Sequence, residues 1–93
     1  MSDDLFNLIY NKSLDLLSRR EHSRKELKEK LLLRFQSDDM IQNVLDKLET
    51  NNLINELRFA EAYTRSRKRK GFGPKKIFYE LSGKGVKESV SNQ

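Results

Sequence analysis

The sequence predicts an all-α protein built as tandem three-helix repeats, one complete and a second lacking most of its last helix. Three observations carry this expectation. The one Pro and all four Gly lie after residue 70, so the first 70 residues hold no strong helix breaker. Apolar residues recur at helical spacing between residues that suit helix caps. Laid over itself with a shift of 50 residues, the chain matches Arg20 to Lys70, Ser23 to Gly73, Leu27 to Ile77 and Leu31 to Leu81. These are the positions where the second helix of each unit would be capped and buried. The expected division is residues 1–54 for the first repeat and 55–93 for the second, incomplete and strongly basic.

The first helix is expected from Leu5 to about Leu17, where Leu5, Phe6, Leu8, Ile9, Tyr10, Leu14, Leu16 and Leu17 cover a broad face and Asp3 and Asp4 suit the N-terminus. It should stop near Arg20, because Ser23-Arg24-Lys25-Glu26 fits a capping box that opens a second helix with Leu27, Leu31 and Leu32 inward. Ser37-Asp38-Asp39 caps a third helix, in which Ile41, Val44, Leu45 and Leu48 follow the i, i+3, i+4, i+7 pattern. That helix runs to about Thr50, and Asn51-Asn52 supplies a residue that tolerates the left-handed conformation. Asn55 caps a fourth helix with the inner stripe Phe59, Ala62, Tyr63 and Ser66, and Ile54 and Phe59 have the spacing of a hydrophobic staple. Gly71-Phe72-Gly73-Pro74 ends it, with Pro74 at the first position of a fifth helix that turns Ile77, Phe78 and Leu81 inward. A sixth helix should begin near Val86. Eight residues are too few to hold as an isolated helix, so fraying is expected there.

Composition removes whole classes of function. The chain has 93 residues, 35% of them hydrophobic, and a chain of this size buries only about 60–68% of its unfolded surface, which leaves little room for a deep dry cleft. There is no Cys, which excludes disulfides, thiolate zinc sites and cysteine nucleophiles. With one His and no Cys, no structural metal and no cofactor are expected. The longest apolar run, Leu31-Leu32-Leu33, is far below a membrane span, and the acidic N-terminus does not suit a secretory signal; the reading is soluble and cytoplasmic, without a membrane.

The net charge of +5 is unevenly spread. Residues 1–54 hold nine basic and ten acidic side chains, whereas residues 55–87 hold ten basic against Glu56, Glu61 and Glu80. Such asymmetry favours a polyanionic partner over a charge carried for solubility alone. The run Arg65-Ser66-Arg67-Lys68-Arg69-Lys70 is the strongest local signal, five cations in six residues without nearby acids. On a helix, Arg58, Arg65 and Arg69 share one flank of the inner stripe, Arg67 lies on the other and Lys68 points away. Phe72 either stacks on a base or tucks against Tyr63 or Phe78.

Other candidates have plainer readings. His22 precedes a cap serine, where packing over Leu27 is favoured over acid–base work. Asp38 and Asp39 form a cap, with no third ligand at a useful spacing. Gly71-Phe72-Gly73 matches neither phosphate-loop pattern, although the start of the fifth helix beside Lys75 and Lys76 is able to receive an anion.

Four segments also resemble a known family. Leu17-Ser18-Arg19-Arg20-Glu21-His22-Ser23-Arg24-Lys25-Glu26-Leu27, Leu53-Ile54-Asn55-Glu56-Leu57-Arg58-Phe59-Ala60-Glu61, Ser66-Arg67-Lys68-Arg69-Lys70-Gly71-Phe72-Gly73-Pro74 and Glu80-Leu81-Ser82-Gly83-Lys84-Gly85-Val86 resemble the RecX family, bacterial regulators of the RecA recombinase. The resemblance covers nearly the whole chain in the right order. It implies tandem three-helix repeats, no catalytic residues, and a regulator that binds the RecA nucleoprotein filament in its groove on DNA and suppresses strand exchange, ATP hydrolysis and coprotease activity. Leu57 departs from the small or acidic residue usual in the family. The family also completes its second repeat and adds a third, so this chain is expected to be a C-terminally truncated member or a piece of a longer one.

No compact set of contact residues transfers with the resemblance, so the site rests on charge. Arg58, Arg65 and Arg69 form the primary face, Arg67, Lys68, Lys70, Lys75 and Lys76 support it, and Arg19 and Arg20 are the weaker counterpart in the first repeat. One rival is a stand-alone DNA-binding module that uses the fifth helix, where Lys75, Lys76, Tyr79 and Ser82 offer mostly phosphate-type contacts. A second rival, a small nuclease, lacks the acidic ligand cluster it would need.

Overall fold

A computed structural model describes the backbone of residues 2–87 and the side chains of residues 4–87. The element order is α1 (Ser2–Arg19), α2 (Arg24–Leu32), α3 (Asp38–Thr50), α4 (Glu56–Arg69) and α5 (Pro74–Gly83), with no strand among the described residues. Of the expected sixth helix, Val86 and Lys87 are not helical, and the remainder with its fraying falls on residues 88–93, outside the described range.

Local chemistry starts each of the helices from α2 onward. Ser23 closes a full capping box on α2: its Oγ accepts from the Glu26 N–H at 3.1 Å, and its own N–H donates to Glu26 Oε1 at 3.2 Å. Ser37 and Asn55 cap α3 and α4 through the N–H groups of Met40 and Arg58. α5 starts on Gly73-Pro74 with no side-chain cap.

Three of the helices end alike. At the close of α3, the Asn52 and Leu53 N–H groups bond back to the carbonyls of Glu49 and Leu48. Gly71 and Phe72 do the same to Lys68 and Arg67 after α4, as do Gly85 and Val86 to Ser82 and Leu81 after α5. Each is a Schellman motif with a left-handed residue at its centre: Asn52 (φ 58°), Gly71 (φ 89°) and Gly85 (φ 84°).

Apolar burial divides the chain in two. Ile9, Leu16, Leu27, Leu31, Ile41, Val44, Leu45, Leu48 and Ile54 form one core among α1, α2 and α3. Phe59, Ala60, Ile77, Leu81 and Val86 form a second between α4 and α5, with Tyr63 and Phe72 against it. Ile54 and Phe59 therefore serve different cores instead of stapling one helix. The inner face of α4 is rotated from the expected stripe toward Phe59, Ala60 and Tyr63, which leaves Ser66 exposed, because α5 covers only that side. Leu32 is also exposed: it stands about 100° around a short helix from Leu31, beyond the reach of α1 and α3.

The result is a rod of 47 × 23 × 22 Å. Its joint lies between α3 and α4, and Gly85 approaches the first repeat there so closely that a Cβ on it would stand 3.1 Å from the Cβ of Lys25. Asn52 has the only positive φ of a non-glycine among the described residues. Asn52→Ala should therefore cost about 1 kcal/mol in urea unfolding, since alanine lacks the polar side chain that lets asparagine tolerate this conformation.

Candidate functional site

Ion pairing sorts the cations of the second repeat. Arg58 Nε donates to Glu21 Oε2 at 3.1 Å, Lys84 Nζ lies 3.1 Å from Glu26 Oε2, and Arg67 binds Glu80 through Nε and Nη2, both at 2.9 Å. Arg65, Lys68, Arg69, Lys70, Lys75 and Lys76 are exposed, and none enters an ion pair among the described residues. These six form a cluster that runs from the last turns of α4 across the Gly71–Gly73 turn into α5. Arg58, Arg65 and Arg69 lie along one flank of α4 over about 16 Å. Arg58 is tied to the first repeat at one end, while Arg65 and Arg69 stand free at the other. Part of the basicity has a local cause, because Arg67, Lys68 and Arg69 sit in the last helical turn, where the macrodipole favours positive charge.

Arg67 has a different situation from its neighbours. Its guanidinium lies 3.7 Å from the centre of the Phe72 ring and its side chain is only 19% exposed. Glu80 also accepts from the Tyr63 hydroxyl at 3.0 Å. Arg67, Glu80, Tyr63 and Phe72 thus form one network that locks the α4–α5 turn, with Phe72 held inside it. The Arg67 hydrogen bond, only partly offset by burial, lowers the Glu80 pKa. Burial and the bond to Glu80 raise that of Tyr63.

The first-repeat counterparts are also occupied. Arg19 binds Asp15 one turn back, and Arg20 holds Glu26 through two bonds of 3.1 and 3.2 Å. His22 is buried: its Nδ1–H donates to the Arg20 carbonyl at 3.0 Å, which leaves Nε2 to accept from Lys30 Nζ at 2.8 Å. Burial and the cations of Arg20 and Lys30 lower its pKa, so this imidazole is a neutral structural bridge. No group of three or more potential metal ligands occurs among the described residues, and no helix there is long and apolar enough to cross a membrane.

Charge reading alone does not find the acids that organise this surface. A cleft of about 360 Å³ separates the repeats, lined among others by Arg20, Glu26, Tyr63, Lys70 and Lys84. Glu26 stands at its edge and Glu21 beside it. Burial by itself raises the Glu26 carboxyl, but hydrogen bonds from Arg20, Lys84 and the Ser23 backbone outweigh that and bring its pKa down to about 2. The capping-box pattern marks Glu26 in the sequence, but nothing in its spacing announces a partner 58 residues away.

Two outcomes follow from these networks. Arg67→Ala should lower the melting temperature by roughly 5 °C, whereas Arg65→Ala leaves it within about a degree, as thermal circular dichroism will read. Because its folded pKa is depressed, Glu26 stabilises the fold fully above its ordinary value of 4.5 and loses that contribution as pH falls toward about 2. The loss is on the order of 3 kcal/mol. Urea midpoints measured across this window should fall for the native chain, and the Glu26→Gln variant should lack that component of the fall.

The surroundings of this chain among known proteins agree with its architecture. A family model described as RecX, first three-helix domain, matches residues 10–48, and one described as RecX, second three-helix domain, matches residues 55–93. The chain is 40% identical over 94 aligned positions to a Regulatory protein RecX of Prosthecochloris aestuarii, covering all of this chain and 62% of that protein. It is 42% identical over 77 positions to one of Pseudomonas fluorescens, covering 83% of this chain and 50% of that one. The crystal structure of RecX from Lactobacillus salivarius superposes with a TM-score of 0.84 at 33% identity, over 99% of this chain and 60% of the other. The chain thus spans half to about three-fifths of the length of these relatives. With both three-helix units matched in chain order and the fold shared with a solved relative, the chain belongs to the RecX family of regulatory proteins.

Proposed function

We propose that this chain binds RecA filaments on DNA and restrains their recombinase, ATPase and coprotease activities, acting in the cytoplasm. The observation that carries the reading is the cluster of free cations around the end of α4. Arg65, Lys68, Arg69, Lys70, Lys75 and Lys76 are exposed and unpaired among the described residues, on a fold whose other arginines are largely consumed by internal acids. Clustered unpaired cations repel one another, and an anionic partner relieves that repulsion. Arg65 and Arg69 are the primary contacts, with Lys68, Lys70, Lys75 and Lys76 beside them; Arg58 adds to the flank, Arg67 and Arg20 act chiefly through the acids they hold, and Arg19 is a weaker, outlying contact of the first repeat. The working division is residues 1–54, a nearly neutral scaffold repeat, and residues 55–93, the contact repeat.

A second reading is a small helical DNA-binding module without RecA specificity. Tyr79 favours it: the ring is 80% exposed on α5, within one turn of Lys75 and Lys76, as a stacking residue would be.

The deciding experiment measures RecA ATPase on single-stranded DNA with this chain and with the Arg65→Glu, Arg69→Glu variant. The native chain should inhibit, and the variant should lose filament binding at least tenfold with an unchanged melting curve. Equal inhibition by both would refute the contact surface. Equal affinity for bare DNA and for filaments would favour the second reading.

A further inference from the structure

The joint between the repeats is held differently from the repeats themselves. Each repeat has its own apolar core, and the two buried clusters do not merge. Beyond the close approach of Gly85 to the Lys25 stem, what crosses the joint among the described residues is polar: Lys84 to Glu26, Arg58 to Glu21, and Lys25 Nζ donating to the Gly83 carbonyl at 2.9 Å. Arg20 holds the Glu26 carboxylate in place from the other side. Two cavities, of about 270 and 360 Å³, open in the same joint, each lined by residues of both repeats. The Arg58 and Glu21 side chains are 40% and 31% exposed, so their attraction is weak and open to screening by salt.

We propose that these ion pairs form a latch that sets the angle between the repeats, and that a polyanion on the α4 flank loosens it by competing with Glu21 for Arg58. Arg58 shares that flank with Arg65 and Arg69, so one anionic chain along the ridge meets all three. Binding and repeat angle are then linked, and by reciprocity whatever opens the latch favours binding. The competition rests on the proposed polyanionic contact, whereas the latch itself does not.

The chain has no cysteine, so Asn11→Cys and Ser82→Cys place one spin label on each repeat. Pulsed electron resonance then reads the distance between the repeats with neither RecA nor DNA present. Raising salt from about 0.05 M to about 1 M should broaden the distance distribution while the helical circular dichroism stays unchanged. Lys84→Met with Arg58→Glu should be broad already at low salt, and adding Glu21→Arg to Arg58→Glu, with Lys84 retained, should restore the narrow distribution. Glu26 is left intact because its loss would also uncap α2. A narrow distribution that ignores both salt and the variants overturns the latch. Heparin, a polyanion without bases, should broaden the distribution at low salt; heparin that binds, by anisotropy, without changing it overturns the competition.

Discussion

The Glu26 carboxylate is where the local and long-range structure of this protein meet. One oxygen closes the capping box on Ser23 and receives Arg20; the other receives Arg20 and Lys84. The start of α2, the turn that follows α1 and the seat of the second repeat therefore share a single acceptor. A carboxylate that is only 13% exposed is costly unless its lone pairs are filled, and here they are. The arrangement couples elements that would otherwise be independent, since a disturbance at the α2 cap is felt at the joint.

The same economy of acids decides which cations remain available. The second half of the chain has few carboxylates, and Glu80 is spent on Arg67 while Glu21 and Glu26 of the first repeat reach across to Arg58 and Lys84. What is left is six exposed cations gathered around the end of α4 and the start of α5. Paired and free cations thus alternate along a single helix: Arg67 faces Phe72 and Glu80, while Arg65 before it and Lys68 and Arg69 after it are exposed.

Helix existence, order and ends were legible in the sequence because each is set by chemistry within four residues. Ser23 with Glu26, Ser37, Asn55, Gly73-Pro74 and the left-handed Asn52 are all local signals. The three-helix repeat was legible through its recurrence. What was not legible depends on which neighbour covers a face: the exposure of Leu32 follows from where α1 and α3 sit, and the exposure of Ser66 and the assignment of Ile54 and Phe59 to different cores follow from where α5 sits, which no periodicity encodes. For the candidate site, the cationic run was plain, but the separation of Arg67 and Arg58 from Arg65 and Arg69 needs partners 13 and 37 residues away.

Gly85 gives the joint a further property. Its missing side chain lets the backbone of the second repeat rest on Lys25, where a Cβ would stand only 3.1 Å from that of the lysine. The contact lies in the joint between the repeats of a rod 47 Å long. A displacement of a few tenths of an ångström at a joint is magnified several-fold at the ends of a long arm, so the residue with the least to offer in contacts has unusual leverage over curvature. For two repeats joined end to end, the absence of one methyl group at that point sets how closely they can meet.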